Sequence, residues 1–338
     1  MRYDNVSVAA VVHVDAPVRL TSAELMGRLG STLDRLGIRP GLLEEVAGIR
    51  ERRVWGEPTA VADAAALAGR RALEVSGVDR TAIGLLVSTS VSRDYIEPST
   101  AAVVHGALQL PETCQNFDVG NACLAFLNGM DIASYMIERG DIEYALIVDG
   151  EVSDQVTNAT VARLNELQTT AEQFRAEFAS LTLGSGAVAL VLGRGDLVPG
   201  GHRYLGGVSR AATQFSHLCR GTMDRMVTDT RTLLAEGLAL AARTYAAAGA
   251  ELDWAGVELD HYVLHQVSNV HTSALLDLLG IDAARVLVTY PEYGNVGPAA
   301  VPLTLSKLQD SGRLAPGHRV GLLGIGSGLN CSMAEIVW

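Results

Sequence analysis

The chain has little of what would place it in several common protein classes. Aromatic residues make up only 5% of its 338 residues, charged residues only 19%, and Lys307 is the single lysine beside 25 arginines. With 38 acidic residues against 26 basic ones the formal charge is −12, so the basic footprint of a nucleic-acid-binding protein is missing. The four cysteines, Cys114, Cys123, Cys219 and Cys331, lie far apart with no CxxC pair, which excludes a zinc ribbon, a thioredoxin-like motif and a disulfide-stapled miniprotein. No run approaches the roughly 18 apolar residues of a membrane span. The start, MRYDNVSVAAVVHVDAP, carries Asp4 and Asp15 instead of the basic and then apolar pattern of a secretory signal. The expected setting is a reducing cytoplasm, with no integral membrane segment.

What is abundant is apolar surface and glycine. Hydrophobic residues reach 48% and glycines number 35, a balance that suits an aliphatic core cut by tight turns. Apolar runs rich in β-branched residues recur at IGLLVSTSV (83–91), YALIVDGE (144–151), AVALVLG (187–193) and HYVLHQVS (261–268). Helical patterns fall between them at 60–76, 98–109, 123–139, 228–249 and 271–279. Strands alternating with helices predict an α/β architecture with buried sheets.

The chain also repeats itself. LTLGSGAVALVLG (181–193) and the closing LLGIGSGLNCSMAEIVW (322–338) each run a GSG step into an apolar strand. Upstream, IGLLVSTS, a helix, a strand and Gly120-Asn-Ala-Cys123 parallel HYVLHQVS, a helix, RVLVTY and Gly294-Asn-Val-Gly297. An internal duplication accounts for this, with halves 1–195 and 196–338 and a polar, helix-prone inserted cap at 152–180. The glycine steps are not phosphate loops, because each leads into a strand, whereas a dinucleotide loop must open a helix. They read as strand-to-strand turns whose backbone N–H groups could converge on an oxyanion.

Three side chains in these turns could carry chemistry. Cys123 stands where a strand gives way to a helix, and a helix N-terminus favours the nucleophilic thiolate. The other reading of Cys123 is a small buried hydrophobe. His265 at a strand end and Asn295 in YGNVGPAAVP occupy corresponding places in the second half. A neutral imidazole and an amide can both donate to one developing negative oxygen, although a structural histidine and a turn-forming asparagine fit the same positions. His261 and His265 would lie about 13 Å apart along a strand, too far to chelate one metal ion, so no metal is expected.

FDVGNACLAF, LHQVSN, YGNVGPAAVP and GIGSGLN, in this order, resemble the active-site segments of the ketoacyl synthase III enzymes of the thiolase superfamily. The resemblance implies a thiolase fold, a duplicated five-layered α/β/α/β/α unit. It implies Cys123 as the acylated nucleophile, His265 and Asn295 on the carbonyl of a second thioester, and an oxyanion hole from the backbone N–H groups of Cys123 and Ser327. SVSRDYIEPST, LCRGTMDRMVTDTR and the C-terminal segment are similar to a narrower family, the OleA enzymes of bacterial long-chain olefin biosynthesis. That resemblance implies a homodimeric acyltransferase performing a non-decarboxylative Claisen condensation. It would join two long-chain acyl-CoA molecules into a 2-alkyl-3-ketoacid, with coenzyme A thioesters as substrates and no other cofactor. Downstream olefin-pathway enzymes would be its partners.

An unactivated thioester must lose a Cα proton, which calls for a general base. By resemblance that base is Glu97, reaching Cys123 from the partner subunit; on its own, Glu97 also reads as a first-turn carboxylate favoured by a helix start. The alternatives are a decarboxylating β-ketoacyl-ACP synthase III and, from another class, a non-catalytic acyl-binding subunit. One departure stands out. The tryptophan and arginine with which ketoacyl synthase III enzymes sandwich the CoA adenine fall at Leu42 and Val46, leaving Arg50, Arg52, Arg53 and Arg220 as unassigned candidates for gripping CoA. Two alkyl chains would need apolar channels, lined in part by the helix after Cys123 and by the 152–180 insertion.

Overall fold

The structure, a computed structural model, describes residues 1–338. The first half opens with β1 (Val6–Asp15), then β2 (Val18–Thr21), α1 (Ser22–Gly27), α2 (Gly30–Leu36), α3 (Leu42–Ala47) and β3 (Glu51–Val54). It continues through α4 (Val61–Ser76), β4 (Ile83–Ser88), α5 (Thr100–Leu108), β5 (Gln115–Asp118), α6 (Ala125–Glu138) and β6 (Tyr144–Glu151) to α7 (Asp154–Leu164), α8 (Ala171–Glu177) and β7 (Gly186–Arg194). The second half runs β8 (His202–Ala211), β9 (Cys219–Gly221), β10 (Met226–Thr228), α9 (Thr230–Glu251), β11 (His261–Leu264) and α10 (Asn269–Leu279). It closes with α11 (Tyr290–Tyr293), α12 (Ala300–Asp310), β12 (Arg319–Gly326) and β13 (Asn330–Val337). The five helices expected from periodicity are all present, with ends within two residues of the expected ones. Local chemistry sets those ends: Ser99, Asp229 and Ser268 cap α5, α9 and α10 through their side chains, and Gly77 and Gly280 close α4 and α10 in the left-handed conformation.

Nine strands form one sheet in the order β11-β12-β13-β8-β1-β7-β6-β4-β5. From the centre outwards the two sides match: an opening strand (β1, β8), a closing antiparallel strand (β7, β13), then β6 or β12, then a parallel neighbour (β4, β11). The sides meet where β1 pairs antiparallel with β8, through Ser7 with Arg203 and Val8 with His202.

Helices cover this sheet in layers. α4 and α5 pack outside the first half with Leu86, Leu146, Val148 and Val191, and α9 and α10 pack outside the second with Val208, Leu264, Leu323 and Met333. Between the two sides lie α6 and α12, whose Phe126, Leu127, Met130, Leu303 and Leu308 touch strands of both halves. The result is the α/β/α/β/α thiolase fold. Burying each of these side chains is worth about 1.5–3 kcal/mol, so the central helix layer is what locks the halves together. A fourth cluster unites Leu25, Leu33 and Leu43 of α1–α3 with Val161, Leu164 and Phe174 of α7 and α8, seating the 152–180 segment as a roof. No helix is long and apolar enough to cross a membrane.

One expected strand is missing. RVLVTY makes only an isolated bridge, Val286 to Tyr262, after a 3₁₀ turn at Ala283–Arg285. The buried Gln266 explains this: its Nε2 donates to the Leu287 carbonyl (2.7 Å) and its Oε1 accepts from the N–H groups of Thr289 (2.8 Å) and Tyr290 (3.3 Å). A side chain has taken the backbone partners that a strand would use.

Candidate active site

The turn from β5 into α6 places Cys123. Ala122, just before it, has φ +47°, a left-handed conformation that costs a residue other than glycine about 1–3 kcal/mol and persists only where the surroundings enforce it. The enforcement is visible. Asn121 Nδ2 donates to Asn128 Oδ1 of α6 (2.7 Å), and Asn330 Nδ2 of β13 donates to Asn121 Oδ1 (3.1 Å), tying the turn to both halves. Across from it, a Cβ on Gly326 would stand 3.3 Å from the backbone nitrogens of Cys123 and Leu124. A side chain at Gly326 would press on the amide of Cys123, and glycine lets the GIGSG turn lie this close without displacing it.

Asn295 is held by its neighbours. Its N–H donates to the Thr182 carbonyl (2.9 Å), its own carbonyl accepts from Gly184 N–H (2.9 Å), and its Oδ1 accepts from Gly297 N–H (3.0 Å). A Cβ on Gly184 would collide with the Tyr293 carbonyl, so the first half's GSG step is what admits this turn. With Oδ1 occupied, the amide Nδ2 is left as a donor. His265 extends the pairing of β11 with β12, its N–H donating to the Leu323 carbonyl (2.8 Å). Its ring is buried and its Nδ1 has no hydrogen-bond partner.

Cys123, His265, Asn295, Gly326 and Ser327 all line one cavity of about 720 Å³, within the range of small-molecule sites. Burial, with a smaller push from His271, drives the His265 pKa down to about 3, so its imidazole is neutral at neutral pH. The thiolate expected at Cys123 is not what the surroundings favour. Burial pushes the thiol up to about 12, and Cys219, Glu151 and Asp149 push the same way. α6 begins at Ala125 with Leu124 as its cap, so Cys123 stands one residue ahead of the cap, and burial outweighs the helix start there. Burial therefore favours the thiol over the thiolate, and a thiol's proton must leave during attack.

The cavity wall also differs from expectation. The 152–180 segment contributes Val152, Ser153, Val156, Phe178 and Ala179, whereas no residue of α6 lines the cavity, because that helix is sandwiched between the two sides of the sheet. The apolar surface comes instead from Met223, Met226, Leu233 and Leu234 around β10 and the start of α9. Glu97 stands apart from all of this. It is exposed beside Tyr95 and Ile96, the latter 97% exposed, and does not line the cavity of its own chain.

The arginines sort themselves as well. Arg52 is wholly buried, donating to the Leu181 carbonyl and Ser22 Oγ (both 2.6 Å), which removes it as a CoA ligand. Arg50 pairs with Glu292 (3.3 Å), and Arg53 lies against the Tyr293 ring, 5.6 Å from its centroid. Arg220 is exposed between the cavity-lining Cys219 and Gly221. Sequence reasoning missed three residues: Gln266, His271 and Glu151. His271 lines the cavity and is held down to about 4 by burial; Glu151 lines it too, and burial raises its carboxyl to about 7 against hydrogen bonds from Ser92 and Val91. His271 and Gln266 lie within six residues of His265, but Glu151 is marked only by being a carboxylate at the end of an apolar strand.

Two family models match: 3-oxoacyl-[acyl-carrier-protein (ACP)] synthase III over residues 117–206, and the C-terminal part of the same family over 250–338. The chain is 55% identical to the acyl-CoA:acyl-CoA alkyltransferase of Xanthomonas campestris pv. campestris and 34% identical to that of Shewanella oneidensis, covering 100% of both chains in each case. It is 30% identical to the beta-ketoacyl-[acyl-carrier-protein] synthase III of Rhizorhabdus wittichii, over 86% of this chain and 88% of that one. Among solved structures it is similar to Xanthomonas campestris OleA, cysteine-to-serine variant, with bound lauric acid and lauroyl-CoA (TM-score 0.97, 54% identity, 99% of this chain and 100% of that one). It is equally similar to the cerulenin-bound form (TM-score 0.98, 55% identity, 100% and 98% covered). Other structures of that relative carry cysteine-to-alanine, histidine-to-alanine and glutamate-to-alanine changes.

Proposed function

We infer the chemistry from one premise: the chain belongs to the acyl-CoA:acyl-CoA alkyltransferase family of 3-oxoacyl-synthase-III-like enzymes. Its reaction is the non-decarboxylative condensation of two long-chain acyl-CoA molecules. Cys123 Sγ attacks the first thioester, its C–S bond forms as the CoA–acyl bond breaks, and the thiol proton ends on the departing CoA. The backbone N–H groups of Cys123 and Ser327 hold the oxyanion. The second acyl-CoA places its carbonyl against His265 and Asn295 Nδ2, both neutral donors. Glu97 of the partner subunit removes the Cα proton. The enolate carbon then attacks the acyl-enzyme, Cys123 leaves as thiolate, and the proton held by Glu97 restores the thiol. Water then releases CoA and the 2-alkyl-3-ketoacid. The sequence is redox-neutral, so coenzyme A thioesters suffice without metal or organic cofactor.

The observation that carries this reading is the convergence of Cys123, His265, Asn295 and Ser327 on one cavity that Glu97 of the same chain does not enter. The spacing of the variant positions in the Xanthomonas relative supports it. Its substituted glutamate, cysteine and histidine lie 26 and 142 positions apart, as Glu97, Cys123 and His265 do here. The exposed tip at Tyr95, Ile96 and Glu97 supports a homodimer in which it is covered. Such an enzyme would work in the cytoplasm and pass its ketoacid to later olefin-pathway enzymes. Myristoyl-CoA alone tests the reaction: ketoacid or its derived ketone, formed without any malonyl donor, is the expected product. Its absence, with product appearing only on adding malonyl-ACP, would make the protein a decarboxylating synthase.

A further inference from the structure

The segment that carries Glu97 is fastened at its root, residue by residue, to the end of β6. Thr89 N–H donates to the Val148 carbonyl (3.0 Å) and its hydroxyl to Asp149 Oδ2 (2.6 Å), while Gly150 N–H donates to Ser90 Oγ (2.9 Å). The Glu151 carboxyl completes the series. Its Oε1 accepts from Val91 N–H (2.7 Å), and its Oε2 accepts from the Ser92 hydroxyl (2.7 Å) and Ser92 N–H (3.3 Å). Beyond Ser92, Asp94 accepts from the N–H groups of Val61 (2.8 Å) and Ala62 (3.0 Å). At the far side, Asp118 accepts from those of Thr100 (3.0 Å) and Ala101 (2.8 Å). Between these anchors Tyr95, Ile96 and Glu97 are exposed. Glu151 also lines the cavity that contains Cys123, whereas the exposed tip lies outside that cavity.

We propose that Glu151 is a positioning residue acting across the dimer: it fixes the root of the finger that delivers Glu97 to the partner subunit's Cys123. This rests on the reading that Glu97 works in trans. Proton abstraction tolerates little misplacement, and an error of about 1 Å can cost on the order of a hundredfold in rate. Without the carboxyl, Val91 N–H and the Ser92 hydroxyl lose their shared acceptor, and the finger loses the anchor nearest the cavity.

Mixed dimers separate this from a general structural role. A Cys123→Ala chain paired with a Glu97→Ala chain leaves one complete site, with Cys123 from the second chain and Glu97 from the first. Glu151→Ala placed on the Glu97-supplying chain should lower condensation of myristoyl-CoA by about tenfold or more, while acylation of Cys123, read by intact mass, stays within about twofold. Placed on the Cys123-supplying chain, where Glu151 lines the cavity and is among the groups that raise the Cys123 thiol, the same change should lower condensation less than on the Glu97-supplying chain. Glu151→Gln, which keeps an acceptor for Val91 N–H, should recover most of the rate. Ser92→Ala on the Glu97-supplying chain should give a smaller loss of the same kind, and these two variants carry the test if Glu151→Ala does not fold. A condensation defect as large or larger on the Cys123-supplying chain, or none in either arrangement, would overturn the proposal. If the parent mixed dimer without a Glu151 change makes no product, the trans reading itself fails.

Discussion

Two regions of this molecule are built by opposite rules. The cavity floor is closed and over-determined: Cys123, Asn295 and the GIGSG turn are pinned by side chains and close backbone approaches from both halves, and the ionisable groups there are held in their neutral forms. The finger tip at 95–97 is open: Glu97 is exposed and does not line the cavity of its own chain. The difference teaches where acylation and condensation divide. Cys123, His265, Asn295 and Ser327 line one cavity within one chain, whereas the base of the proposed reaction, Glu97, does not line it.

Loss of the nucleophile should have the largest effect and abolish both steps. Cys123→Ala should remove the acyl adduct and lower condensation by about a thousandfold or more, as loss of a nucleophile does; a surviving adduct on intact-mass analysis would break the comparison at its base. Glu97→Ala should split the steps, keeping the adduct and losing condensation by a similar factor. Rate loss without accumulated acyl-enzyme would place Glu97 in the first step instead. His265→Ala should lower condensation on the order of a hundredfold, the size seen when one oxyanion donor is lost. Acylation should suffer less, because the N–H groups at Cys123 and Ser327 remain.

Smaller effects sharpen the account of the floor. Because burial raises the Cys123 thiol to about 12, its thiolate fraction is small at neutral pH, and carbamidomethylation by iodoacetamide should accelerate about tenfold per pH unit between pH 7 and 9. A rate already flat across that window would mean a preformed thiolate. Least of all, Ala122→Gly should raise thermal stability by about one or two degrees, the relief of left-handed strain slightly exceeding the added unfolded-state entropy. A lower midpoint would show that the turn is not strained.

Much of this contrast was readable in the sequence. Hydrophobic periodicity located the helices between their capping residues. The repeat placed Cys123 against His265 and Asn295, because corresponding turns of a duplicated unit end at corresponding strand edges. What escaped depended on side chains choosing partners far along the chain. Gln266 unmade a strand at 286–290, and Arg52 turned inward to Leu181 and Ser22. α6 was correctly read as apolar but faces the two sides of the sheet and no channel. The ionisation of Cys123 was misjudged because a helix start is visible in sequence and desolvation is not.

The central claim is that one subunit supplies the nucleophile and the other the base. Cys123→Ala and Glu97→Ala homodimers, each inactive alone, should regain condensation of myristoyl-CoA when unfolded and refolded together. Random pairing makes half the dimers mixed, with one complete site in two, so activity should return to about a quarter of the wild-type value. Activity staying at the level of the separate variants, with mixed dimers confirmed by native mass spectrometry, would contradict the account.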